Sequence, residues 1–376
     1  MAQHAPSNRG GCALHNYHPP TGNKNERKTV FVRTAYTLAI GAAGGGIFVF
    51  GGLPAAWLSG AMVAVGIATL SGLPVAMPQR LRDIVFVFLG ISMGSGVTPE
   101  TLHQVATWPL SIAALAVVVT AIILFGTLFL TQVARWDRPT AFFASVPGAL
   151  SYVLALALTT RADLRRVAIS QSLRLFVLVA ILPSIITMLR AAPLAAGPVA
   201  QQADWQALAL LIGCGVASGL LFHWLKVPAG LLTGGLTASA ILHVTETVTA
   251  QLPNMILVPG FIVLGAMIGT RFAGSRWRDL ATVAATSLAA FAIAMVVSVL
   301  GAALVAAAFG LPIGQTLLAF APGGLEVMMV LAFALDLDPA YVGAHQVARF
   351  FAMALLLPLI IRLFGIRAKK DAEGQE

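Results

Sequence analysis

Long apolar stretches separated by short polar loops dominate this chain. The first half contains six of them, at residues 29–50, 54–71, 83–96, 109–133, 141–159 and 167–189. A helix of about 20 apolar residues is long enough to cross a bilayer. The second half, to residue 364, has six stretches of the same kind. The pattern therefore predicts an all-α polytopic membrane protein.

The two halves are copies of each other. Residues 147–183 and 322–358 align without a gap at an offset of 175, and 12 of the 37 positions are identical. The matches include residues that apolar composition cannot explain: Pro147/Pro322, Gly148/Gly323, Asp163/Asp338, Gln171/Gln346, Arg174/Arg349 and Pro183/Pro358. We divide the chain by this duplication, and predict a disordered cytoplasmic tail (1–28), membrane repeat 1 (29–190), an external linker (191–205), membrane repeat 2 (206–364) and a cytoplasmic tail (365–376).

The fifth stretch of each half carries a helix break. Pro147 and Gly148 interrupt the first, and Pro322, Gly323 and Gly324 interrupt the second. Proline lacks an N–H donor and disfavours helix in the residue before it, while glycine tolerates irregular backbone. Such a stretch either is re-entrant or crosses as a broken helix. Five full crossings per half would make the repeats inverted, whereas six would make them parallel.

The distribution of charge favours the inverted arrangement. Only 10% of residues are charged, yet the net charge is +9. If the N-terminus is cytoplasmic and the Pro-Gly stretches do not cross, 20 of the 23 Lys and Arg residues fall inside, as the positive-inside rule requires. With twelve crossings, Lys226 and the basic cluster at 271–278 would lie outside. We therefore predict two inverted repeats of five transmembrane helices, each with one broken or re-entrant Pro-Gly helix, and with both termini cytoplasmic.

Three charged residues are predicted inside the membrane. Arg174 and Arg349 each lie about ten residues into the last helix of a half, which places them near the midplane at roughly 1.5 Å per residue. Glu326 follows the second break, where the first half has Ser151. A charge at this depth costs on the order of 3 kcal/mol. These side chains must face a cavity or one another.

The same helices carry further polar side chains. Gln171 and Gln346 precede Arg174 and Arg349 by three residues, so each amide shares a helix face with a guanidinium group. Guanidinium groups suit carboxylate or phosphate ligands, and His345 could carry a proton near neutral pH. The predicted substrate or ion site comprises Glu326, Arg349, Arg174, Gln346, Gln171, Ser151 and His345. In the alternative, each arginine satisfies the carbonyls freed at a break, Glu326 neutralises one of them, and His345 is a polar residue near a helix end.

Two glycine pairs occupy matched positions. Gly90 and Gly94 in the first half correspond to Gly265 and Gly269 in the second. Glycine at a spacing of four is typical of closely packed membrane helices, and we favour that role over a substrate path. The histidines do not cluster within the membrane, and no dinucleotide fingerprint follows a strand, so we expect no metal and no cofactor.

These residues resemble those of the bacterial membrane AbrB-duplication family. The resemblance rests on residues 321–326, on Gln346 with Arg349, and on the openings 54–60 and 228–234, and it covers nearly the whole chain after the tail. In that family the second Pro-Gly motif generally carries an acidic residue, here Glu326. The wider fold is similar to the cation:proton antiporter and anion transporter superfamily, which implies a panel domain and a core domain of crossed broken helices.

Members of that family are described as AbrB family transcriptional regulators, regulators of aidB expression, or ammonia monooxygenases. Direct transcriptional control needs a DNA-reading module, and neither predicted tail has room for one. We therefore expect a non-enzymatic secondary transporter or exporter of a small anionic metabolite, coupled to H⁺ or Na⁺, with the lipid bilayer and a small molecule or ion as its partners and no nucleic acid. A membrane-embedded regulator acting indirectly or as a sensor is the alternative, and a membrane monooxygenase is third. Broken-helix transporters often pair, so a homodimer is one option.

Overall fold

The computed structural model describes residues 24–97, 105, 108–148, 150–189, 205–274 and 277–363. Across these ranges the chain forms fourteen α-helices and no β-strand. They are α1 (Lys24–Phe50), α2 (Ala56–Leu70), α3 (Gln79–Gly94), α4 (Trp108–Gln132), α5 (Arg138–Ser145), α6 (Leu150–Ala157), α7 (Leu164–Leu189), α8 (Trp205–Trp224), α9 (Gly230–Val244), α10 (Asn254–Gly269), α11 (Trp277–Phe309), α12 (Ile313–Phe320), α13 (Leu325–Ala334) and α14 (Pro339–Leu363). A 3₁₀ turn, Thr270–Phe272, extends α10.

Seven of these helices are long and apolar enough to cross a bilayer. They are α1, α4, α7, α8, α10 with its 3₁₀ extension, α11 and α14. The helices α2, α9 and α13 are apolar but shorter. The expectation of an all-α polytopic membrane protein is confirmed.

The helix bounds differ from the hydropathy bounds at the first helix. Helix α1 begins at Lys24, within the segment that we assigned to the tail, because Asn, Glu, Arg and Lys are compatible with helix but not with lipid. Hydropathy marks only the apolar part of a helix. Helix α8 likewise begins at Trp205, the last residue of the predicted linker. The rest of the linker (191–204), the tail before residue 24 and the tail from residue 365 lie outside the described residues.

Both halves present the same order of elements. Each has four helices, then two short helices flanking the Pro-Gly break, then one long helix, from α1 to α7 and from α8 to α14. The first three helices of each half pack mainly against one another and form a six-helix group (α1, α2, α3, α8, α9 and α10). The remaining helices form an eight-helix group, which contains both breaks.

Close glycine contacts join the halves within the six-helix group. A Cβ atom at Gly90 would lie 2.2 Å from the Leu232 carbonyl oxygen, and one at Gly94 would lie 2.4 Å from that of Leu236. The contact moves from Gly90 to Gly94 on α3 as it moves from Leu232 to Leu236 on α9, so the two helices run parallel. A side chain at either glycine would force the backbones apart.

The matched glycines make the reciprocal contact. A Cβ atom at Gly265 would lie 2.3 Å from the Leu58 carbonyl oxygen, and one at Gly269 would lie 2.8 Å from the Gly66 amide nitrogen. Helices α10 and α2 are therefore parallel as well. Each half thus presents its third helix to the second helix of the other half.

Two pairs of equivalent helices, α3 with α10 and α4 with α11, run antiparallel. Arg82 at the start of α3 and Arg271 after the end of α10 are near enough to interact electrostatically. In the eight-helix group, a Cβ atom at Gly301 would lie 2.3 Å from the Val118 side chain, while Leu130 and Ser287 line one cavity. Residue numbers rise from Val118 to Leu130 on α4 while they fall from Gly301 to Ser287 on α11, so these helices are antiparallel too.

We predict that Gly265→Ala destabilises the protein by about 1–3 kcal/mol, because the added methyl group would overlap the α2 backbone. Unfolding by denaturant in detergent micelles measures this. The matched control is Gly46→Ala, since a Cβ atom there meets nothing within 4 Å. That variant should be unchanged or stabilised by up to about 1 kcal/mol. Equal stability of the two variants would contradict the close packing.

Candidate functional site

The two Pro-Gly segments interrupt helices at matched places. Val146, the residue after α5, has φ −62° and ψ 120°, and Ala321, the residue after α12, has φ −59° and ψ 138°. Both residues precede a proline, which disfavours the α conformation by steric clash. Gly324 stays extended, and α13 starts at the next residue. The breaks therefore lie at Pro147-Gly148 and at 322–324, within the eight-helix group.

The long helix after each break begins at an aspartate. The Asp163 carboxylate accepts hydrogen bonds from the amides of Arg165 and Arg166 at 3.0 and 3.1 Å. Asp338 does the same for Ala340 and Tyr341 at 2.8 and 3.2 Å. Aspartate at this position satisfies amides that have no partner within the helix. Each aspartate therefore caps the long helix that follows its break.

In the first half, Gln171 and Arg174 bind the end of α5. Gln171 Nε2 donates to the carbonyl oxygens of Phe143 and Val146, both at 2.9 Å. Arg174 Nη1 donates to the Val146 oxygen at 3.3 Å, and its Nη2 donates to Gln171 Oε1. These carbonyls have lost their helical partners at the break.

The second half repeats this arrangement at the end of α12. Gln346 Nε2 donates to the carbonyl oxygens of Leu318 and Ala319 at 3.0 and 3.3 Å. Arg349 Nη1 donates to Ala321 at 2.6 Å, and Nη2 donates to Gly323 at 2.5 Å and to Gln346 Oε1. The four polar side chains thus hold the chain at both breaks.

The arginines are buried without an acidic partner. Arg174 is 8% exposed and Arg349 is 5% exposed. In the described ranges neither guanidinium group forms an ion pair, and each lies within electrostatic range of the other. The contacts therefore match the alternative in which the arginines satisfy freed carbonyls. Glu326 forms no ion pair with either arginine in the described ranges.

Glu326 lies in the first turn of α13, directly after the second break. Its side chain is half-buried, and in the part of the chain that the structure describes it has no hydrogen bond or ion pair. Its charge interacts electrostatically with Arg271 of the six-helix group. Glu326 is thus an available carboxylate between the two helix groups.

His345 faces a different environment from Arg349. It is fully buried, with Nδ1 2.8 Å from the Tyr341 carbonyl oxygen and Nε2 2.7 Å from Ser111 Oγ. The rings of His345 and Tyr341 are 4.0 Å apart. The structure therefore brings His345 to α4 rather than to the carbonyls of the break.

Sequence patterns did not identify Ser111, Tyr341 or Arg271 as neighbours of the site. Ser111 and Tyr341 look like ordinary helix residues in an apolar pattern, and Arg271 was assigned to a loop cluster.

The Ser151 side chain lies outside the described residues. The four packing glycines lie in the six-helix group, away from the breaks. Within the described ranges no three His, Cys, Asp or Glu side chains group as metal ligands.

Arg349→Met should destabilise the protein by roughly 2–3 kcal/mol, because the carbonyls of Ala321 and Gly323 would lose their donors. Denaturant titration in detergent measures the effect. Arg80→Met is the control, since Arg80 is exposed, and it should change stability by less than about 0.5 kcal/mol. A fully stable Arg349→Met variant would show that the guanidinium group does not stabilise the break.

Comparisons with known proteins agree with these features. The family model described as "Transition state regulatory protein AbrB" matches residues 16–365. The "Putative regulator AbrB" of Escherichia coli (strain K12) is 28% identical over 335 residues, covering 85% of this chain and 92% of that protein. The "Uncharacterized protein YhjN" of Bacillus subtilis (strain 168) is 24% identical over 359 residues, covering 88% and 93%. Since the family model spans nearly the whole chain, both breaks included, the chain belongs to the AbrB family.

Proposed function

We propose that this protein is a secondary transporter that exports or imports a small anionic metabolite, coupled to H⁺ or Na⁺. The observation that carries the proposal is Glu326, a half-buried carboxylate without a partner in the described residues, located at a helix break. Helix breaks near the midplane are where secondary transporters bind substrates and ions. A carboxylate there can bind and release a cation during the transport cycle.

The two arginines contribute positive potential to this site. Their donors are directed at carbonyls of the breaks, so their role toward an anion is electrostatic rather than direct coordination. Because no carboxylate pairs with either guanidinium group in the described ranges, their charge is not cancelled locally. A metabolite anion near the breaks would be attracted by both, while Glu326 carries the coupling cation.

An inverted-repeat topology supports this function. In a chain with ten crossings and non-crossing Pro-Gly segments, α2 and α10 are parallel, α3 and α9 are parallel, and α4 and α11 are antiparallel. With twelve crossings, the first two pairs would be antiparallel. The glycine contacts agree with ten crossings.

We place the protein in the bacterial inner membrane with cytoplasmic termini, without an enzymatic activity and without a nucleic acid partner.

Glu326→Gln should abolish cation-coupled transport, because an amide can neither release a proton nor bind Na⁺ as a charge. The assay uses proteoliposomes containing a pH-sensitive dye, with a panel of small mono- and dicarboxylates added outside. We expect the rate to fall by at least about tenfold, which corresponds to 1.4 kcal/mol. The matched control is Glu246→Gln, on an exposed turn after α9, which should transport normally. Normal transport by Glu326→Gln would remove the proposed coupling site.

Single cysteines should distinguish the two topologies. In a background without Cys12 and Cys214, we expect Arg161→Cys and Ala273→Cys to react with an impermeant thiol reagent only from the cytoplasmic side. Leu53→Cys is the reference, since both topologies place it outside. Labelling of all three from the outside would overturn the inverted arrangement.

A membrane-embedded regulator is the second candidate function, favoured by the descriptions of the family and of the Escherichia coli relative. A regulator that acts through its N-terminal segment should lose its effect on gene expression when residues 1–28 are deleted, and its proteoliposomes should show no flux. If the effect instead follows from transport, Glu326→Gln should abolish both. Any such regulation would then be a consequence of metabolite levels.

A further inference from the structure

Arg271 lies at the boundary between the two helix groups. It belongs to the 3₁₀ turn that extends α10, and the next residue, Phe272, is 2% exposed. The Phe272 ring packs edge-on against Phe176 of α7, with the ring centroids 5.4 Å apart. Leu175, the residue before Phe176, has a side-chain atom 4.0 Å from the place of a Cβ atom on Gly324. Arg271 is therefore held beside α7 at the level of the second helix break.

Glu326 approaches this arginine from the eight-helix group. It follows Gly324 by two residues, and its charge interacts with that of Arg271. Both side chains are half-buried. No ion pair joins them within the described residues, so the guanidinium and carboxylate groups are not in contact. Two opposite charges thus face each other across the boundary without touching.

The Arg271 guanidinium group is available to a ligand. In the part of the chain that the structure describes, it has no hydrogen bond and no ion pair. The fully buried donors that lack a partner include Arg174 Nε but no atom of Arg271, so another molecule can reach the Arg271 nitrogen atoms. Arg174 and Arg349 direct their donors at carbonyls of the breaks. Of these three arginines, Arg271 is the one whose planar fork can bind an anion directly.

The first half has no equivalent of this charge pair. At the offset of 175, Gly96 is matched to Arg271 and Ser151 is matched to Glu326. The first half builds the same order of helices around its break without either charge. The framework therefore does not require them. Because half-buried charges are costly to desolvate, their presence in one half alone points to a ligand.

The neighbouring charges favour a monocarboxylate as that ligand. Arg82 also lies within electrostatic range of Arg271, but it is already paired with Asp83 at 2.6 Å. The charge of Arg271 is thus opposed by Glu326 when that carboxylate is ionised, and is unopposed when Glu326 holds a cation. A guanidinium group binds one carboxylate through two parallel hydrogen bonds. One unopposed positive charge balances a monocarboxylate rather than a doubly charged phosphate.

We propose that Arg271 directly binds the carboxylate of a small monocarboxylate substrate between the two helix groups, while Glu326 holds the coupling cation. This site rests on the proposed transport function and gives it a substrate class. An ionised Glu326 repels the incoming anion and a cation-loaded Glu326 does not, so each ligand raises the affinity for the other. The anion and the cation therefore cross the membrane together, in the same direction.

Arginine-specific labelling tests the site in the purified full-length protein. Phenylglyoxal modifies accessible guanidinium groups, and mass spectrometry of peptides measures the rate at Arg271 and at the exposed Arg80. The probes are sodium acetate, lactate and pyruvate, each replacing sodium chloride at constant ionic strength. At about twice its dissociation constant, a bound probe should slow labelling of Arg271 about threefold and leave Arg80 unchanged. No protection of Arg271 by any probe, or equal protection of both arginines, would overturn the proposal.

Glu326→Gln tests the link between the two ligands. The amide imitates a cation-loaded carboxylate in charge, so half-protection of Arg271 should need at least about threefold less probe than in the wild type. Coupled transport by the same variant should be lost. An unchanged or higher probe requirement would contradict joint binding.

Transport variants separate this site from the transport function. In proteoliposomes, Arg271→Gln should abolish flux of the carboxylate that protects the wild type. Arg278→Gln, an exposed control in the same basic cluster, should keep it. Protection of Arg271 without wild-type flux would remove the transport function and keep the binding site. Flux that survives Arg271→Gln would remove the site and keep the transporter, and if that variant does not fold, the labelling experiment decides alone.

Discussion

The rest of this structure depends on the satisfaction of backbone carbonyls at two helix breaks. In lipid there is no water to bind a carbonyl that has lost its helical partner, so broken helices persist only where protein groups replace the missing donors. Gln171 with Arg174, and Gln346 with Arg349, supply those donors in each half. The cost of burying the guanidinium groups is offset by bonds that only a long, multidonor side chain can make.

This use of the arginines changes which groups remain for chemistry. Donors that hold the backbone are not free to bind a substrate, so in the proposed function the arginines act through their charge. The available acid is Glu326, which interacts electrostatically with Arg271 of the other helix group. A carboxylate at the boundary of two helix groups is well placed to respond when one group moves against the other, as expected for inverted-repeat transporters.

The duplication is symmetric in its framework and asymmetric in its chemistry. The glycine contacts of the six-helix group and the Gln/Arg pairs at the breaks occur in both halves. The differences between the halves include Glu326 opposite Ser151 and His345 opposite Ser170. The packing contacts are therefore repeated in both halves, whereas at these two positions only the second half carries an ionisable side chain.

The sequence by itself determined the helices, the duplication, the positions of the breaks and the Gln/Arg pairs, since each follows from local pattern: apolar length, Pro-Gly segments and a spacing of three residues on one helix face. Helix bounds agreed with hydropathy except where charged residues extend a helix beyond its apolar part, as at Lys24.

The destinations of the arginine donors were left as two alternatives. Only the tertiary structure decided between them, because Arg349 meets carbonyls that lie 26 and 28 residues away. It also decided that His345 meets Ser111, 234 residues away, and that Arg174 borders a cavity. Such contacts arise from the packing of helices against each other, and no periodicity along a single helix specifies them.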